Sequence, residues 1–322
     1  MHRTAKLLTP LFVSGILCLS GANAGNYNGK KVLYIDSYHA GYEWSDGITN
    51  GVQNTLAKTG VELKIIRMDT KRNKGEAFMQ EAAQKAKSEI DSFKPDVVIA
   101  SDDNASKFVI QPFYKDASLP FVFCGVNWDE TVYGYPYKNV TGMVEVSGVK
   151  ELVDLLKQFS KGERIGLLAE DTLTEHKEAE NYKAKLGIDV QGTFVNSFAE
   201  WKQKYDELQD QVDILIIGNT AGLSDFDAKA AEAHVQQHAR IPSGAIQINT
   251  MPYAMIGYLK VAEEQGTWAA NTALQIMDGK SPAEIPVTRN KEGNVVINLK
   301  LAEATGVEIP YTLIESATTV ME

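Results

Sequence analysis

The stretch Lys31-Val-Leu-Tyr-Ile-Asp36, followed by Ser37-Tyr38-His39 and then a helical pattern from Ser45 to Lys58, decides the fold. Six residues of mostly branched and aromatic apolar character read as a strand buried on both faces, which only a sheet covered on two sides provides. A helix directly behind such a strand makes the first half of a βαβ unit. The rhythm repeats outward from there. Glu62 to Met68 is an expected strand, Gly75 to Phe93 a helix, Pro95 to Ala100 a strand, Ala105 to Tyr114 a helix and Leu119 to Gly125 a strand. Tyr133 to Asn139, rich in Tyr, Gly and Pro, reads as loop.

After Val140 the same rhythm starts again. Helices are expected at Val149 to Phe159, Leu173 to Leu186, Phe198 to Leu208 and Asp225 to His238, with strands at Arg164 to Ala169, Val190 to Val195, Asp213 to Gly218 and Gly244 to Ile248. A long helix from Tyr253 to Asp278, extended segments at 285–287 and 295–298 and a last helix near Lys300 to Ala304 complete the chain. The fold class that follows is α/β: two doubly wound parallel-sheet lobes. Residues 25–141 with 252–282 form the expected first lobe, and 142–251 with 283–322 the second.

At the front, Arg3 and Lys6 precede an apolar run from Leu7 to Leu19 and the triplet Ala22-Asn23-Ala24. That order is an export signal with cleavage after Ala24, so residues 1–24 are expected to be removed and the remainder to work in the periplasm. The run is shorter than the ~20 residues that span a bilayer. Leu17, before Cys18, does not suit lipidation. Cleavage removes two positive side chains from a formal net charge already at −10, which argues against nucleic acid or an anionic membrane as partner. It also leaves Cys124 as the single cysteine, so no internal disulfide forms.

Open parallel sheets bind ligands beyond the carboxyl ends of their strands. The residues there are Ser37, Tyr38, Tyr42 and Trp44 after the first strand, Asp69 and Thr70 after the second, Asp102, Asp103 and Asn104 after the third, and Asn127 after the fourth. The second half contributes Asp171, Asn219, Thr220 and Tyr253, and Glu145 lies near the passage between the halves. Aromatic faces among carboxylates and amides suit a small ligand with a flat or apolar body and a polar or cationic head. Each has a structural alternative: one of Asp102 and Asp103 as a helix cap, Asp69 to Arg72 as a self-paired turn, Cys124 as a small buried residue. His234 and His238 stand four apart on a helix with no third ligand beside them, so no metal is expected; nor is any cofactor. Asn139-Val-Thr141 is a glycosylation triplet, read here as the first crossing between lobes.

The motifs Gly279-Lys-Ser-Pro282, Ile285-Pro286-Val287, Val296 to Ala302 and Gly306-Val-Glu-Ile-Pro310 resemble the ending of the ABC transporter substrate-binding proteins, whose members include tryptophan and tyrosine binders. The front half, with Ser37-Tyr38-His39, Trp44, Asp69 to Arg72, Asp102 to Ala105, Phe123 to Asn127 and Thr141-Gly142, resembles a branch that also supplies sensor domains. The resemblance implies a type I periplasmic-binding-protein clamp with about three crossings, a small-molecule ligand in the cleft, and a monomer. The expected ligand is an amino acid or amine, aromatic in character. The implied partner is the membrane permease of an ABC importer, with a membrane signalling receptor as the alternative. No catalytic residue is expected: nucleophile-elbow, phosphate-loop, dinucleotide and zinc-protease motifs are all missing, and strand-end carboxylates acting as a secreted hydrolase are the weaker reading.

Overall fold

A computed structural model describes residues 27–73 and 75–322; the expected signal peptide lies outside them. Two separate sheets carry the fold. The first contains β1 (Lys31–Asp36), β2 (Glu62–Arg67), β3 (Val97–Ser101), β4 (Phe121–Asn127), β5 (Val140–Glu145) and β11 (Thr288–Arg289), in the order β11-β5-β4-β3-β1-β2 and parallel throughout. The second holds β6 (Ile165–Glu170), β7 (Gln191–Val195), β8 (Ile214–Ile217), β9 (Ser243–Ala245), β10 (Ile256–Lys260), β12 (Gly293–Asn298) and β13 (Thr319–Met321), in the order β13-β12-β10-β9-β8-β6-β7. Within it only β10 and β12 pair antiparallel.

Both sheets share one winding. From the central strand the chain steps to one side, then crosses to the other, so the order reverses between β1 and β3 and again between β6 and β8. Helices on the two faces of a sheet diverge at such a switch and leave a crevice at the strand ends. β3, β5, β6 and β8 are buried along their whole length, which accounts for the continuous apolar runs at 97–100 and 214–217.

The crossings fall later in the chain than expected. β5 pairs with β4, so the first crossing follows Glu145 instead of Thr141. Residues 256–260, read as the start of a long helix, form strand β10 of the second sheet; the helix begins only at α9 (Ala262–Met277). β11 lies on the first sheet beside β5, so the last crossing comes after Arg289. Strand and helix periodicity both tolerate Ile256-Gly-Tyr-Leu-Lys260, and pairing with β9 and β12 chose the strand. Asn290 ties two crossings together: its Oδ1 accepts from Val146 N–H at 2.8 Å and its Nδ2 donates to Val146 O at 3.2 Å.

After leaving the second sheet, α9 returns to pack on the first lobe against α1 (Glu43–Leu56). The two helices approach through glycines. A Cβ on Gly266 would lie 2.0 Å from Ile48 O, and one on Gly51 would lie 2.4 Å from Glu263 O. Backbone cannot retreat as a flexible side chain does, so Gly266→Ala is expected to destabilise the protein by about 1–3 kcal/mol, the range for overpacking. Urea unfolding checks it; an unchanged midpoint would show that this contact does not hold α9.

Candidate functional site

At the β1/β3 switch, α1 starts at Glu43, directly after the strand-end loop, and places Trp44 over the first turn of a helix that begins at Asp102. That second helix runs through Asp102–Ala105, a π-turn at Ser106–Ile110 and Gln111–Phe113. Asp102 itself takes a left-handed backbone, φ 67°, and turns its carboxyl inward. It is 1% exposed: Oδ1 accepts from Trp44 Nε1 at 3.2 Å, and Oδ2 has no hydrogen-bond partner. Burial lifts this carboxyl well above the ordinary range, and Glu145 and Asp36 nearby raise it further. Gly125 leaves room for it, since a Cβ there would stand 3.1 Å from Asp102 Oδ1.

Glu145, at the end of β5, is buried and forms an ion pair with Lys260, at the end of β10. The pair joins the two lobes where two crossings begin. Burial raises the Glu145 carboxyl while Lys260 opposes the rise. Burial pushes the Lys260 amine down, but Glu145 outweighs it and keeps the amine protonated above its ordinary value. Lys260 Nζ also lies 4.9 Å from the centre of the Trp44 ring, a cation–π distance.

The remaining first-lobe residues divide into two sets. Ser37, Thr70 and Asn104 make a closed chain of hydrogen bonds that fixes the strand-end loops. Ser37 Oγ donates to Ser101 O at 2.5 Å and accepts from Ala105 N–H at 2.8 Å. Thr70 Oγ1 donates to Ser37 O at 2.6 Å and accepts from Asn104 Nδ2 at 2.8 Å. Asp69 pairs with Arg72 at 2.7 Å on the surface. The second set lies outside that chain, and of it Tyr42 lines the interlobe cleft. Tyr38 and Tyr42 meet edge to face at 5.6 Å, with Lys71 Nζ 4.9 and 4.8 Å from their ring centres. Asp103 is half-buried; Oδ2 accepts from Asn127 Nδ2 at 2.6 Å and Oδ1 from Tyr133 OH at 2.8 Å.

In the second lobe, the β6/β8 switch brings Asp171 and Asn219 to one edge. Asp171 Oδ1 pairs with His176 Nε2 at 2.8 Å, and Asn219 Oδ1 accepts from Thr220 N–H at 2.9 Å. Thr220 is buried at the same turn. Tyr253 departs from expectation. It is 3% exposed and packs among Trp201 and Phe226 in the second-lobe core, because a short helical turn at Ile248–Tyr253 folds it back under the sheet.

A cleft of about 870 Å³ separates the lobes beside this site. Tyr42, Trp44 and Asn50 line it from the first lobe, and Ile246, Gln247 and Lys260 from the second. Farther along the interface Trp128 Nε1 donates to Glu178 Oε1 at 2.7 Å and Lys185 pairs with Asp129 at 2.7 Å. Lys260 and Trp128 were not among the sequence candidates. Lys260 falls inside the helix expected from Tyr253 to Asp278, and no local pattern in Ile256-Gly-Tyr-Leu-Lys260 separates strand from helix.

The Asp102 carboxyl sets a pH dependence. Its folded-state pKa is raised, so the native protein holds this proton more tightly than the unfolded chain. The resulting stabilisation is complete at low pH and is lost as pH climbs above the ordinary value of 3.8. Asp102→Asn keeps the acceptor for Trp44 and removes the titration. The variant is therefore expected to gain stability relative to wild type as pH rises from 4 to 8, measured by urea unfolding; a relative loss would mean a charged, paired carboxylate.

The chain as a whole has counterparts. A family model described as ABC transporter substrate binding protein matches residues 42–321. A tyrosine-binding protein of Clostridioides difficile (strain R20291) is 23% identical over 176 residues, 51% of this chain and 48% of that protein, so the match spans about half the relative's length. Among solved structures, the ligand-free, open form of a substrate binding protein with adhesive properties from Clostridium difficile superposes with a TM-score of 0.68 at 19% identity, covering 91% of this chain and 99% of that one. An ABC transporter solute binding protein from Bradyrhizobium sp. BTAi1 with bound bis-tris gives 0.55 at 14% identity, over 90% and 87%. A domain from Streptococcus pneumonia in complex with L-Trp gives 0.51 at 20% identity, over 91% and 100%. The structural likenesses establish the two-lobed fold, and the family match over most of the sequence establishes that the chain belongs to the ABC transporter substrate-binding proteins.

Proposed function

We propose that this protein, exported by its N-terminal signal, captures an aromatic amino acid or related small amine between its lobes and delivers it to the permease of an ABC importer, without chemical change. The observation that carries the reading is the cleft wall itself: Tyr42 and Trp44 from one lobe stand across from Ile246 and Gln247 of the other, with a protonated lysine at the back. Aromatic faces and apolar aliphatics suit a flat body; Lys260 and Lys71 suit a carboxylate, and Asp103 an ammonium group. Asp102 is the weaker candidate for the ammonium because Trp44 covers it. The tyrosine-binding relative and the neighbour holding L-Trp point to the same ligand class.

Closure changes the surface that a membrane partner meets, which is how a binding event at the cleft reaches the membrane. A permease gene beside this one supports import; a receptor gene without permeases would transfer the same clamp to signalling.

A ligand that binds only the folded state raises the melting temperature. A thermal-shift screen over amino acids, amines, sugars and nucleosides is expected to respond to aromatic amino acids, and a response confined to sugars or nucleosides would overturn the ligand assignment. Asp103→Ala is expected to weaken binding of the responding ligand roughly tenfold to a few hundredfold, the worth of one charge-assisted hydrogen bond. Calorimetry would check this alongside the unliganded melting temperature, which should change little because Asp103 is half-buried. Turnover of esters or glycosides by the pure protein would overturn the non-catalytic reading.

A further inference from the structure

The two histidines that the sequence left without a partner acquire one in the fold. His234 and His238 lie one turn apart on α8 (Ala228–His238), and Asp206 reaches them from α7 (Phe198–Leu208). His234 Nε2 stands 3.0 Å and His238 Nδ1 3.1 Å from the same oxygen, Asp206 Oδ1. The rings stack with centroids 4.1 Å apart, and the three potential ligand atoms all fall within 4.8 Å of one another. Among the described residues this is the group of three or more His, Cys, Asp or Glu side chains whose ligand atoms converge so closely.

We propose that Asp206, His234 and His238 form a binding site for a borderline divalent metal ion, Zn²⁺ or a similar transition metal, on the second lobe. Ligand atoms at ~2.0–2.2 Å from a tetrahedral zinc ion lie roughly 3.3–3.5 Å apart. The two nitrogens already stand near that distance from the carboxylate oxygen, so an ion enters with small side-chain rotations. Two imidazoles and one carboxylate favour zinc, cobalt or nickel over calcium or magnesium, which take oxygen donors. His234 is nearly buried, 16% exposed, while His238 and Asp206 are 44% and 38% exposed, so the fourth position faces solvent.

The frame around the site is fixed. Gln209 Nε2 donates to His238 O at 3.1 Å, Gln209 Oε1 accepts from Arg240 N–H at 2.7 Å, and Arg240 Nη2 donates to Asp206 O at 3.0 Å. The Tyr205 and His234 rings meet edge to face with centroids 6.0 Å apart. Arg240 is the nearby positive charge that opposes a cation, and its guanidinium is paired with Asp210 at 2.9 Å. The position is also informative. The last turn of α8 leads through Pro242 into the start of β9, so the site lies at the edge where the strands begin, opposite the cleft where they end. A metal ion there clamps α7 to α8 without touching a solute.

Equilibrium dialysis of the untagged protein against Zn²⁺, with Co²⁺ absorption as the coordination readout, tests the proposal. One ion per chain is expected, with visible Co²⁺ bands of a tetrahedral site and a higher melting temperature at saturating Zn²⁺. His238→Ala and Asp206→Asn should each weaken binding at least tenfold and remove the Co²⁺ bands, while each variant keeps its metal-free melting temperature within a few degrees. Solute binding should be the same with and without Zn²⁺. No saturable binding below millimolar Zn²⁺ would show a hydrogen-bonded trio only, and stoichiometric binding undiminished in His238→Ala would place the ion elsewhere; either result overturns the assignment.

Discussion

The hinge side of the cleft depends on the ion pair between Glu145 and Lys260. Asp36, Asp102 and Glu145 are all buried at the strand ends of the first lobe, and Asp103 and Glu178 stand close by. Taking several carboxylates out of water together is costly unless protons or a counter-charge neutralise them. Lys260 is that counter-charge for Glu145, while burial and the neighbouring acids push the Asp102 carboxyl toward its neutral form. Arg67, 3.3 Å from Asp36 Oδ2, serves the remaining acid from the surface side.

This arrangement couples the hinge to the pocket. Glu145 and Lys260 end the strands from which two of the crossings leave, so any rotation of the lobes moves the members of this ion pair relative to each other. Trp44 touches two of these groups: its indole N–H meets the buried Asp102 and its face meets the partly exposed Lys260. A ligand ring that displaces or stacks on Trp44 therefore acts on the hinge electrostatics directly. The metal-binding trio on α7 and α8 lies outside this coupling because it occupies the other edge of the second sheet.

Much of the architecture was legible in the chain. Strands such as Val97–Ser101 and Ile214–Ile217 are continuous apolar runs, and the helices between them announce their starts: Thr172, Ser197 and Asp227 all cap helices with their side chains. The switch-point logic also placed Tyr38, Tyr42, Trp44, Asp103 and Asn219 at strand ends. Ser37 and Thr70 sit where expected, yet their hydroxyls are engaged by backbone carbonyls, a distinction that strand position alone does not make.

By itself the sequence determined the α/β class, the doubling of the βα rhythm and the set of polar residues delivered to the strand ends, because those follow from local periodicity and the one-way geometry of parallel strands. Tertiary structure alone decided where the chain crosses between lobes, since residues 256–260 satisfy either periodicity until β9 and β12 pair with them. It also decided which groups meet across long separations. Glu145 and Lys260 are 115 residues apart, and Asp206 joins His234 across 28. No local pattern carries such pairings, because they arise from the packing of whole elements against one another.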